Sequence, residues 1–88
     1  MELKIFSPEG ETPSVICDSV ILTVSDDENG KGGGLYGIRS GHAKAIIATD
    51  KGIVKASNEG KIVFEQFLNS DGFATVEKDM VRICTNKI

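Results

Sequence analysis

The fold is decided at Gly37–Ala43 (Gly-Ile-Arg-Ser-Gly-His-Ala), a glycine-punctuated segment that leads into the apolar run Ala45–Ala48. Its two glycines lie four positions apart, and glycine tolerates left-handed backbone angles that other residues resist. The backbone can therefore reverse here and pass close to a neighbouring strand. The sequence predicts a turn at Gly37–Ala43 that is followed by a strand.

Short runs of alternating apolar and polar residues occur on both sides of this turn. Val20, Leu22 and Val24 share one face of a strand by the period of two, so we expect their side chains in a core. Turn signals rich in glycine, aspartate and asparagine separate the later runs, and no window has the period of a helix. The sequence therefore predicts one all-β domain over residues 1–88, a β-sandwich or flattened barrel of about eight to ten short strands.

The polar segment Ser25–Gly34 contains four glycines and no apolar side chain, so we expect it to form a surface loop. Its oxygen-rich part, Ser25–Gly30, lacks the bidentate glutamate with which an EF-hand calcium loop ends. The remainder, Lys31–Gly34, fits neither glycine-rich nucleotide motif, and no helical pattern follows it. The segment predicts neither a metal site nor a phosphate site.

Charge and hydropathy exclude several function classes. The net charge is −3, lysines are interleaved with acidic residues, and only five residues (one Tyr and four Phe) are aromatic, which argues against nucleic acid as a partner. No apolar run approaches the roughly 20 residues that span a bilayer, and the first residues lack the apolar core of a signal peptide. We expect a cytoplasmic chain that does not insert into the membrane directly.

Candidate catalytic groups are few. His42 is the only histidine, so the chain alone can build neither a histidine-paired nucleophile nor a site with several histidine ligands. Cys17 and Cys84 lack Cys-x-x-Cys spacing, and free buried thiols are the expectation in a cytosolic chain. The sequence predicts no catalytic residue, no bound metal and no cofactor.

Three partial motifs, in order, resemble the epsilon subunit of F-type ATP synthases. Ser7–Gly10 (Ser-Pro-Glu-Gly) is similar to its "(T/S)PEG" motif, Gly37–Ala43 to its "GILPGHAP" motif, and Asp71–Val76 to its "GGF-x-x-V" motif. The departures from the family pattern are Arg39 and Ser40 in place of Leu-Pro, Lys44 in place of proline and Asp71 in place of glycine.

The resemblance implies the N-terminal β-sandwich domain of such a subunit, without the C-terminal helical hairpin that typical members carry. It further implies a non-catalytic part of the rotor stalk that links the γ subunit to the c-ring during proton-driven ATP synthesis. That place is peripheral to the cytoplasmic face of the membrane. The suspected c-ring interface comprises Leu35, Tyr36, Gly37, Ile38, Arg39, Ser40, Gly41 and His42.

Two other function classes remain open. Thr49–Gly52 (Thr-Asp-Lys-Gly) is similar to the hairpin of lipoyl carrier domains, which are β-sandwiches of comparable size, and Lys51 would then carry the group. Gly52 stands where that family has alanine, and the glycine-containing lead-in to the lysine is absent. The same residues also form an ordinary turn. A stand-alone ligand-binding sandwich is the third alternative.

Overall fold

Ten β-strands and no helix form the described part of the chain, which is residues 1–26 and 32–88 of a computed structural model. In chain order they are β1 (Glu2–Ser7), β2 (Gly10–Glu11), β3 (Val15–Ile16), β4 (Ser19–Asp26), β5 (Gly32–Arg39), β6 (Ala45–Thr49), β7 (Gly52–Asn58), β8 (Lys61–Leu68), β9 (Gly72–Glu77) and β10 (Met80–Thr85). The all-β prediction and its strand number are confirmed. Within these residues no helix is long and apolar enough to cross a membrane.

The strands form one curled sheet in the order β2-β1-β10-β9-β6-β4-β7-β8, with β3 also paired to β1 and β5 to β4. The pairing of β1 with β10 is parallel, and the other pairings of the described strands are antiparallel. A single residue pair, Val24 with Thr49, joins β4 to β6. We call β1, β2, β3, β6, β9 and β10 the first sheet and β4, β5, β7 and β8 the second sheet.

The core lies between the inner faces of the two sheets, because both contribute buried apolar side chains. Val20 and Leu22 of β4 are buried and Val24 packs against the core, which confirms the prediction from their spacing. Burying one such side chain completely contributes roughly 1.5–3 kcal/mol. The buried apolar residues are Leu3, Ile5, Cys17, Val20, Leu22, Ile38, Val54, Ala56, Leu68, Ala74, Val76, Val81 and Ile83.

The hairpin of β4 and β5 corrects the surface-loop prediction for Ser25–Gly34. Ser25 and Asp26 continue β4, and Gly32–Gly34 begin β5, so these residues belong to strands. A β-ladder is made by backbone groups, so it extends through glycines that carry no alternating pattern. Residues 27–31 lie outside the described residues. The structure therefore does not test the interpretation of these five residues as part of neither a calcium loop nor a phosphate loop.

The turn after β5 is also shorter than the sequence predicts. Strand β5 continues to Arg39, so Gly37 and Ile38 are strand residues and the reversal occupies the segment between Arg39 and Ala45. The strand that follows the turn, β6, is confirmed.

Candidate interaction surfaces

The turn between β5 and β6 is held by backbone hydrogen bonds at both of its sides. The N–H of Ser40 donates to the carbonyl of Asp18 at 3.2 Å, and the N–H of His42 donates to the carbonyl of Arg39 at 3.0 Å. Between them Gly41 has a φ of 86°, a left-handed angle that favours glycine. The motif glycine is therefore required by the backbone of this turn.

The only histidine completes this arrangement. Nε2 of His42 lies 3.0 Å from the hydroxyl oxygen of Tyr36, and Nδ1 lies 2.7 Å from the carbonyl oxygen of Ala43. The rings of Tyr36 and His42 meet edge to face with centroids 6.0 Å apart. Both ring nitrogens are thus engaged in fixing the turn, and sequence reasoning named both Tyr36 and His42 but did not predict the contact between them.

The eight suspected interface residues do not form a single patch. Leu35 opposes Thr23 on β4, whereas Ser40 bonds to Asp18, and the rise of a strand puts these two places roughly 16 Å apart. Ile38 is 0% exposed and belongs to the core, so its side chain is not available to a partner. The structure does bring together Tyr36 and the residues of the turn, and whether any of them contacts a partner stays a prediction.

An apolar row crosses the outer face of the first sheet. Phe6 opposes Cys84, Cys84 opposes Phe73, and Phe73 opposes Ala48, which brings four strands into one line. Ile46, two residues before Ala48 on the same face, is 79% exposed, and Phe73 is 48% exposed. We call these five residues the apolar row. Sequence reasoning missed it, because the register that aligns the four strands comes from pairing between distant segments.

Charged side chains border the apolar row. Lys4 and Arg82 are register partners on β1 and β10, and Lys4 forms an ion pair with Glu11 at 2.9 Å. On the same side of the row, before the start of β6 and at the end of β9, Lys44 lies 3.7 Å from Glu77. An exposed apolar patch with a charged rim has the composition of a protein–protein interface.

The outer face of the second sheet carries exposed apolar residues as well. Leu35 on β5 is 67% exposed, and Ile62 on β8 is 57% exposed. Lys55 and Glu65 lie between them with their charged atoms 3.9 Å apart. That ion pair separates Ile62 from Phe67, which is 48% exposed and opposes Ile53, whereas Phe6, Cys84, Phe73 and Ala48 of the apolar row are successive register partners.

The groups considered for other chemistry are Lys51 and the two cysteines, of which Cys84 belongs to the apolar row. Lys51 is exposed in the bend between β6 and β7, where its N–H donates to Oδ1 of Asp50 at 2.7 Å. Cys17 is buried and Cys84 is half-buried, and both are free thiols. Burial raises the pKa of the Cys17 thiol. Among residues 1–26 and 32–88, no three His, Cys, Asp or Glu side chains cluster as metal ligands would.

Residues 1–88 match the family described as the beta-sandwich domain of the ATP synthase delta/epsilon chain. The chain belongs to this family. A comparison with curated proteins found no match. The family match confirms the resemblance that the three partial motifs indicated, and it confirms the prediction of a β-sandwich.

The delta/epsilon motif Asp71–Val76 has a packing reason in this structure. Gly72 pairs with Thr85 at the start of β9, and a Cβ placed on it would collide with the carbonyl oxygen of Cys84. Only glycine therefore allows β9 and β10 to approach as they do. The next residue, Phe73, points outward into the apolar row.

Proposed function

We propose that this chain is an epsilon-type subunit of the rotor stalk, which links the γ subunit to the c-ring of an F-type ATP synthase and catalyses nothing itself. The family match over residues 1–88 is the observation that carries this proposal. On this proposal the protein works at the cytoplasmic face of the membrane and is held there by its partners. A stiff β-sandwich suits that role, because torque is then transmitted by contact without deforming the body.

We assign the γ subunit to the apolar row on the first sheet. Ile46 and Phe73 are exposed there, and desolvating such side chains is what stabilises most protein–protein contacts. The bordering charges, Lys4, Arg82 and the Lys44–Glu77 pair, would form the rim that fixes orientation and register.

We assign the c-ring contact to the end of the sandwich at which Leu35 lies. Leu35 is exposed on the outer face of the second sheet, so it is free to contact the ring while the first sheet holds γ. Of the other suspected residues, Tyr36 is next to Leu35 in the chain and is exposed. Its hydroxyl group is bonded to His42 in the turn between β5 and β6.

Co-purification with γ tests the assignment of the first sheet. Ile46→Asp introduces a charge into the apolar row and should weaken γ binding at least tenfold, since desolvating a carboxylate without a partner is unfavourable. Ile62→Asp makes the same change at a similarly exposed position on the second sheet and should leave γ binding intact. Circular dichroism of both variants checks that they fold.

Proton pumping in reconstituted vesicles tests the ring contact. Leu35→Asp should reduce coupling between ATP hydrolysis and pumping while γ still co-purifies. If the wild-type chain fails to bind γ, the proposed function is wrong; if Ile62→Asp disrupts binding and Ile46→Asp does not, the function stands and the assigned face is wrong.

A further inference from the structure

Three open edges exist among the described strands of the curled sheet, and two of them carry features that oppose pairing with another strand. At the first edge, β2 and β3 are two residues long each, and Pro8 and Pro13 lie two positions from their ends. At the second edge, β8 carries Lys61 and has a register shift opposite Ala56 and Ser57. Short strands, prolines, lysines and bulges are the devices by which natural sheets avoid edge-to-edge association.

Strand β5 is the third edge, and none of these devices lies between Leu35 and Ile38. Among the described strands it pairs with β4 alone. Leu35 and Tyr36 are 67% and 36% exposed although both lie inside an eight-residue strand, and there is open space beside Gly37. An apolar edge without such devices readily accepts another strand.

The hydrogen bonds of the hairpin identify the backbone groups that face outward from this edge. The N–H of Ser40 donates to the carbonyl of Asp18, and that bond continues the register of the β4–β5 pair. Successive residues of a strand direct their N–H and C=O groups to opposite sides, so even-numbered residues of β5 face β4. Leu35 and Gly37 therefore direct their N–H and C=O groups away from β4.

The open part of the edge is short. The Arg39 carbonyl also faces outward, but it already accepts the N–H of His42 at 3.0 Å. On the other side Gly34 has a φ of 82°, which bends the strand before the regular segment begins. Among residues 1–26 and 32–88, no strand pairs with the outward groups of Leu35–Gly37.

We propose that two copies of this chain pair through this segment, with the β5 strands antiparallel about a two-fold axis at Tyr36. Leu35 then opposes Gly37 of the second copy, and Gly37 opposes Leu35 of the second copy, so the outward N–H and C=O groups of both strands meet. Arg39, the one charged side chain of β5, lies outside the paired segment Leu35–Gly37, so no like charges oppose each other within it. The edge is complementary to itself in this register.

The symmetric contact also buries apolar surface on both faces. The two Leu35 side chains approach each other diagonally on the outer face, where Gly37 leaves room, and the two Tyr36 side chains are direct cross-strand neighbours on the inner face. A single strand pair is smaller than the standard interface of about 800 Å² per partner, so the dimer is weak and depends on concentration. This inference does not rest on the proposed function, since it requires no other subunit.

Sedimentation velocity of the purified chain from about 10 μM to about 1 mM tests the dimer. The mass should rise from that of one chain toward that of two. Leu35→Lys puts two like charges near the axis and should weaken dimerisation at least tenfold. Ile46→Lys adds the same charge on the first sheet and should leave the dimer unchanged.

Two further variants test the register itself. Gly37→Pro removes an outward N–H that β4 does not use, so it should abolish the dimer while the circular dichroism of the sandwich is kept. Tyr36→Cys in a Cys84→Ser background should form a disulfide-linked dimer under an oxidant, because a pair that is not hydrogen-bonded brings its Cα atoms to about 4.5 Å. A chain that stays monomeric over the whole range, or a dimer that survives both Leu35→Lys and Gly37→Pro, overturns the proposal.

Discussion

The hydroxyl oxygen of Tyr36 lies 3.0 Å from Nε2 of His42, which ties the middle of β5 to the turn that ends it. Nδ1 of His42 lies 2.7 Å from the carbonyl oxygen of Ala43, which can only accept a hydrogen bond, so Nδ1 donates. In the neutral ring Nε2 then accepts the hydroxyl hydrogen of Tyr36. Ser40 stands at the position of the proline in the epsilon motif, and serine does not fix the backbone angle φ as proline does. The Tyr36–His42 bond restrains this turn instead.

Tyr36→Phe removes the hydroxyl and keeps the ring. We expect the free energy of unfolding to fall by about 0.5–1 kcal/mol, the lower part of the range for one hydrogen bond, because the pair is near the surface. Nδ1 of His42 still faces the carbonyl of Ala43 in this variant, so the ring should keep its Nδ1-protonated tautomer while the ¹⁵N resonance of Nε2 shifts because it loses its donor. An Nε2-protonated tautomer in the wild type, or an unchanged Nε2 resonance in the variant, would contradict the assigned donor and acceptor roles.

Gly72 gives a sharper prediction about stability. Gly72→Ala would drive a methyl group into the carbonyl of Cys84, so β9 and β10 must separate, and we expect a loss of about 3 kcal/mol in the free energy of unfolding. Gly37→Ala is the matched control, since it lies in a strand with open space where the methyl group would stand. Urea unfolding measures both variants. Equal losses in the two would refute the packing reason given for the motif glycine.

The sequence predicted those strands whose side chains alternate between core and solvent. In β4 the spacing of Val20, Leu22 and Val24 encodes the buried face, and the structure has it as predicted. Strand β5 could not be predicted from the sequence, because four of its eight residues are glycine and therefore show no alternation of apolar and polar side chains.

The apolar row could not be predicted for a different reason. Each of its members is visible as an apolar residue on one strand, but their alignment depends on the registers of β1, β6, β9 and β10. Those registers are set by pairing between segments far apart in the chain. The contact of Tyr36 with His42 depends in the same way on how tightly the turn reverses.

Lys51 should remain unmodified when the chain is expressed with a lipoate ligase. Its N–H bonds to the carboxylate of Asp50, which is the local bond of an ordinary turn, and the lead-in of carrier domains is missing. Intact-mass measurement gives the answer, with an authentic carrier domain in the same cells as the positive control. Stoichiometric lipoylation at Lys51 would establish the carrier alternative.

The two cysteines should differ in reactivity, and one of them should make stability depend on pH. Cys17 is 2% exposed, and burial raises the pKa of its thiol, whereas Cys84 is half-buried in the apolar row. Since the thiolate is the reactive form, a maleimide at neutral pH should label Cys84 first and Cys17 only as the chain opens.

The raised pKa of Cys17 also sets the sign of a stability change. In the unfolded chain the thiol loses its proton at its ordinary pKa, while the folded chain still holds it, so the unfolded state binds fewer protons above that pH. The contribution of the buried Cys17 thiol to the free energy of unfolding is therefore complete below the ordinary thiol pKa, and it decreases as the pH rises beyond that value. Urea unfolding at pH 7 and pH 10 should give a larger loss for the wild type than for Cys17→Ala, in which nothing titrates at that position. Equal losses in the two proteins, or labelling of Cys17 as fast as Cys84, would show that the Cys17 thiol is not held in the core as the structure has it.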